Sequence, residues 1–84
     1  MEDGQVSRRL DQMRTNPSGD WRMRDVQATR AEYGLRCSPP RGGGSHYKIA
    51  HDNVPDMLSI PVARPIKPVY VRKLVRMVDA VRGV

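Results

Sequence analysis

The run Pro39-Pro40-Arg41-Gly42-Gly43-Gly44 constrains this chain more than any other segment. Two fixed φ angles and two missing backbone donors, followed by three residues without a Cβ, cannot form a helix. The run must be a loop, and its glycines let a ligand approach the backbone closely. After it, residues 45–51 alternate, with Tyr47 and Ile49 pointing one way and His46 and Lys48 the other, as in a half-buried strand. Before it, residues 35–38 are long enough for one short strand.

The flanking segments follow from periodicity. Residues 4–14 place Val6, Leu10 and Met13 at i, i+4 and i+7, which predicts a short helix with Asp3 as N-cap and a basic outer face of Arg8, Arg9 and Arg14. Asn16-Pro17-Ser18-Gly19-Asp20 breaks it. Residues 22–33 predict a second helix, with Met23, Val26 and Tyr33 inward and Gly34 as a left-handed stop. Its stripe is interrupted at Thr29 and Arg30, and Arg22 is a poor N-cap. Residues 52–55 read as a turn and 57–62 as a third strand, with Leu58, Ile60 and Val62 on one face. Pro61 lacks a ladder donor, so this strand lies at an edge or ends there. Pro68 suits the first position of the last helix, where Val71, Leu74, Val75, Val78 and Val81 form a continuous stripe before Gly83.

The order α, α, β, β, β, α predicts an α+β fold: a three-stranded antiparallel sheet with helices on one face. The other face is then free, and His46 and Lys48 belong on it. With 84 residues the chain has room for a single domain over 1–84: an N-terminal helix and break over 1–20, then an α-β-β-β-α unit over 21–84. Only 38% of residues are hydrophobic and none is Phe, so core volume rests on Val, Leu, Ile, Met, Trp21 and three tyrosines. A core that thin leaves no room for a deep pocket, and chemistry must use a surface or shallow groove.

Fifteen Lys+Arg against nine Asp+Glu give +6 and a pI near 10.3. That excess favours a polyanion: nucleic acid first, an anionic membrane surface second, an acidic protein third. Twelve of the cations are Arg, whose planar fork suits phosphate. Cys37 is alone, so it forms no internal disulfide, and one Cys with two His at unrelated spacing makes no zinc site. A lone thiol, no leader-like N-terminus and no apolar run near the ~18 residues of a membrane span suggest a soluble cytoplasmic protein.

The segment Gly42-Gly43-Gly44-Ser45-His46-Tyr47-Lys48 carries the candidate chemistry. Backbone N–H groups and a hydroxyl can cradle a phosphate, and an imidazole can move a proton. RNA brings its own nucleophile, the 2′-OH, so a base, cations and correct geometry are a sufficient kit. Arg41, Gly44, Ser45, Lys48 and Lys67, which flank the loop or precede the last helix, are the candidate RNA-binding residues, with His46 as the candidate base. His51 is a weaker candidate, at a strand end and in phase with Tyr47 and Ile49. No metal or cofactor is expected: Asp52 and Asp56 sit across a turn, and neither has an acidic neighbour at a useful spacing. The same features also fit a non-catalytic RNA-binding module, or an adaptor with an acidic partner.

Gly44-Ser45-His46, Ser59-Ile60-Pro61-Val62 and Ile66-Lys67-Pro68, at their mutual spacing, resemble the HicA family of messenger-RNA-cleaving toxins. Residues 64–73 look like a subgroup in which this segment is extended, and the likeness spans about residues 13–82. The resemblance implies a fold like the double-stranded-RNA-binding domain, His46 as catalytic residue of an endoribonuclease, and a HicB-type antitoxin that covers it. Two departures stand out. Tyr47 occupies a position where many relatives have a second His, and the N-terminal helix lies outside the minimal family unit.

Overall fold

The structure, a computed structural model, describes residues 7–42 and 44–83. Its elements are α1 (Arg8–Thr15), α2 (Met23–Glu32), β1 (Arg36–Ser38), β2 (His46–His51), β3 (Val54–Pro61) and α3 (Pro68–Arg82). The three strands form one antiparallel sheet in the order β1-β2-β3, as the sequence predicts. The fold is α+β. No helix among the described residues is long and apolar enough to cross a membrane.

One side of the sheet meets the helices. α2 packs on β1, α3 on β3, and α1 against both helices. Ile49, Leu58 and Ile60 point into this layer, where Leu10, Met13, Val26, Leu35, Ile66, Val71, Leu74, Val75, Met77 and Val78 complete the core. The α3 stripe is as predicted apart from Met77, which is also buried, and Val81, which packs at the margin. Thr29, the apparent gap in α2, is fully buried, and its hydroxyl points at the Met13 sulfur at 3.8 Å. A small polar residue fits there because the thioether is a weak acceptor. Cys37 is half-buried on this face, opposite Ile49.

Several boundaries differ from expectation. Asp3 and Gly4 lie outside the described residues; the α1 cap in the structure is Ser7, whose Oγ accepts from the Leu10 N–H at 3.0 Å. α1 does not carry an unpaired basic face. Arg9 reaches Glu32 and Asp25 on α2, and Arg14 makes a two-pronged pair with Asp79 on α3 at 2.7 and 2.8 Å. Wedged between two helices, α1 uses its flanking cations as staples. At α2, where Arg22 caps poorly, Asp25 accepts from the Arg22 N–H at 2.9 Å instead. Trp21 is only half-buried; its ring N–H donates to the Asn16 carbonyl, and its own carbonyl accepts from Ile66 N–H.

The β2–β3 turn is two residues, Asp52 and Asn53, rather than residues 52–55. No non-glycine residue described has positive φ, so this turn cannot be of the mirror-image type that matches strand twist. The register shift between Ile49 and His51 absorbs the mismatch, and Pro55 is tolerated because β3 is an edge strand. β3 ends at Pro61, and Val62, expected in the core, stays 53% exposed one residue beyond.

The Arg14 guanidinium, through its hydrogen bonds first, holds the Asp79 carboxyl below the usual carboxylate range. Such a group contributes stability above its unfolded pKa of about 3.9 and loses it as pH falls through the lower folded value. Asp79→Asn is therefore expected to cost up to about 1 kcal/mol at neutral pH. In urea unfolding as a function of pH, the gap to wild type should close below the ordinary carboxylate range. A gap constant down to acid pH would show that the pair does not link α1 to α3 energetically.

Candidate nucleic-acid interface

The open face of the sheet is built by alternation and register. Arg36 and Ser38 of β1, His46 and Lys48 of β2, and Met57 and Ser59 of β3 are all exposed, out of phase with the buried Ile49, Leu58 and Ile60. Ser38 pairs with Lys48, Lys48 with Ser59, and His46 with Pro61. His46 and Lys48, two residues apart on one strand, lie about 6.5–7 Å from each other along it. Arg36, Ser38, Pro39, Arg41, Gly44, Ser45, His46, Lys48, Ala50 and Met57 line an open groove of about 500 Å³. The groove is shallow and on the surface, where the thin core places it.

Among the described residues, three cations and one imidazole line this groove, and no carboxylate does. Asp52, at the β2–β3 turn, accepts from the groove residue Arg36 at 2.6 Å. Arg36 holds the Asp52 carboxyl below the usual range, so it stays ionised near neutral pH, and Arg36 is a groove cation already matched.

The loop before β2 has a structural reason for its glycines. Gly42 has φ +57°, and Gly44 N–H donates to the Arg41 carbonyl at 2.8 Å. A Cβ on Gly44 would meet that carbonyl oxygen at 3.0 Å, so a side chain here would open the loop. The tight turn brings Arg41 to the groove beside Ser45 and His46. Gly43 lies outside the described residues.

His46 is exposed, and its Nδ1 sits 3.3 Å from the Ser45 hydroxyl. When Nδ1 carries the proton it donates to Ser45 Oγ, which leaves the lone pair on Nε2, where it can act as a base. His51 is engaged in the fold instead, because its Nδ1 accepts from the Asn53 N–H at 3.0 Å and closes the turn. Burial pushes the Cys37 thiol up, against nucleophilic use. Among the described residues no three of His, Cys, Asp or Glu converge as a metal site would require.

Of the residues predicted from sequence, Arg41, Gly44, Ser45, His46 and Lys48 come together in the groove. Lys67 does not. It is exposed immediately before α3, in the helical layer, and lines no part of the groove. Arg36, Ser38 and Met57 join the groove without any motif to mark them, although the inward position of Cys37 and Leu58 implies by alternation that their neighbours face out. Comparison with family models, with curated proteins and with solved structures finds no match to this chain.

Proposed function

We propose that this chain is a metal-independent endoribonuclease, the toxin of a toxin–antitoxin pair, acting on RNA at the open face of its sheet. One observation carries the reading: His46 lies in an open groove lined by Arg36, Arg41 and Lys48 and, among the described residues, by no carboxylate. A polyanion is attracted to such a surface, and the same surface repels none of its phosphates. Arg41 and Lys48 bind phosphate, and Gly44 and Ser45 present the backbone and hydroxyl beside it. Met57 and Pro39 offer apolar surface to a sugar or base.

In the proposed reaction Nε2 of His46 removes the proton from a ribose 2′-OH. The 2′-oxygen attacks the adjacent phosphorus, the bond to the 5′-oxygen breaks, and that oxygen leaves with a proton from solvent. The products are a 2′,3′-cyclic phosphate and a 5′-hydroxyl end. The resemblance to HicA toxins and their double-stranded-RNA-binding-domain-like fold supports the same assignment, and it implies a HicB-type antitoxin seated on this face. A net charge of +6 suits an acidic partner.

Cleavage of a defined RNA is expected to proceed undiminished in excess EDTA and to yield cyclic-phosphate ends, read by mass spectrometry. Activity lost in EDTA and restored by magnesium sinks the metal-independent reaction. RNA bound but never cut supports the non-catalytic binding module in its place.

A further inference from the structure

Eight of the fifteen cations of this chain lie in two segments that contain no acid. Residues 33–51 hold Arg36, Arg41 and Lys48, and residues 57–78 hold Arg64, Lys67, Arg72, Lys73 and Arg76. The first segment supplies the groove. The second runs into α3, whose buried residues face the sheet, so its exposed residues look away from it on the opposite side of the molecule. Arg72, Lys73 and Arg76 are exposed and share one stripe of that surface with Val69 and Ala80. Among the described residues none of the three meets a carboxylate; Lys73 lies only over the Tyr70 ring, at 5.8 Å.

An ordinary solvated helix face is not arranged this way. Surface helices gain from opposite charges three and four residues apart, whereas Arg72 and Arg76 repel each other at i, i+4. Carboxylates favour a first helical turn; α1 has Asp11 and α2 has Asp25 there, and α3 has none. By contrast, Arg9, Arg14, Arg22 and Arg36 each hold an acid. The α3 stripe thus sets like charges side by side, a repulsion that an anionic ligand would relieve.

We propose that Arg72, Lys73 and Arg76 form a second RNA-backbone site, so that one chain holds two RNA segments, one in the groove and one on α3. The identity of the polyanion rests on the reading of the groove as an RNA site. The geometry suits phosphodiester: Arg72 and Arg76 are one turn apart, about 6 Å along the helix, a repeat comparable with successive phosphates of a strand. A lipid surface fits less well. A helix that binds in a membrane interface buries its apolar face there, and the apolar face of α3 is already in the core.

The test uses a short RNA carrying 2′-O-methyl groups, which cannot be cut, and counts oligonucleotides bound per chain by calorimetry at low salt. Wild type is expected to bind two. The triple variant Arg72→Gln/Lys73→Gln/Arg76→Gln should bind one, with circular dichroism unchanged, and should cleave the unmodified short RNA at the wild-type rate. Arg41→Ala/Lys48→Ala should also bind one and cleave poorly. One oligonucleotide per wild-type chain overturns the proposal, as does a triple variant that still binds two. Loss of short-RNA cleavage in a folded triple variant also overturns it, because the stripe would then belong to the groove. A triple variant that loses only binding to phosphatidylglycerol vesicles assigns the stripe to membranes and overturns it as well. Two bound oligonucleotides without cleavage by wild type would leave the second site standing while removing the nuclease.

Discussion

His46→Ala is expected to lower the rate of RNA cleavage by about 10²–10⁴-fold, the usual cost of removing a general base. Fold and most RNA affinity should survive. The side chain is exposed on the sheet's outer face, so its truncation opens no cavity, and substitutions at such positions usually stay within about 0.5 kcal/mol of wild-type stability. Affinity on the proposed reading comes mainly from Arg41 and Lys48, which the change leaves alone. His51→Ala is the control with a known cost: it removes the acceptor for the Asn53 N–H and loosens the turn, yet it should still cut. Rates, circular dichroism and RNA affinity measured together separate the cases. A folded His46→Ala that cleaves at the wild-type rate makes another group the base.

The parts of this molecule legible in its sequence are those fixed by period. The α3 stripe and the phase of β2 follow from one residue's distance to the next, and both place their side chains as expected. His46 and Lys48 are legible for the same reason. What escapes depends on contacts between elements. Arg8, Arg9 and Arg14 read as one basic face because nothing local shows that Glu32, Asp25 and Asp79 stand across from two of them. Thr29 reads as a flaw because its partner, the Met13 sulfur, belongs to a different helix. Lys67 reads as an RNA-binding residue from its place at the entry to the last helix; in the structure it precedes α3 and lines no part of the groove.

The turn after β2 is legible, but its two-residue length is hidden for a subtler reason. Pro55 normally signals a loop, and residues 51–55 hold no Asn-Gly or Asp-Gly to mark a tight hairpin. The chain closes β2 onto β3 with Asp52-Asn53 nevertheless, helped by the His51 ring and a bulge. A side chain and an irregularity replace the glycine. The consequence reaches the candidate site, since the same turn carries Asp52, the partner of Arg36 at one end of the groove.

Leu74→Ala is expected to destabilise the chain by about 2–5 kcal/mol, the span measured for buried leucines. Leu74 is fully buried in the core that also holds Leu58 and Ile60, where α3 packs on β3. Its removal subtracts both the transfer free energy of the lost methyl groups and the dispersion contacts of the cavity wall. Stability of roughly 0.05–0.15 kcal/mol per residue gives a chain of this size about 4–13 kcal/mol in total, so one such change removes a large share. Val62→Ala, at a side chain 53% exposed, should shift stability by no more than about 0.5 kcal/mol. Urea midpoints at fixed slope separate the two variants. The pair also divides fold from chemistry: Leu74→Ala should lose cleavage only where its unfolding transition begins, whereas His46→Ala loses it while folded. If Leu74→Ala keeps the wild-type midpoint, α3 is not seated on the sheet as described, and the stripe of Arg72, Lys73 and Arg76 would no longer face away from the groove.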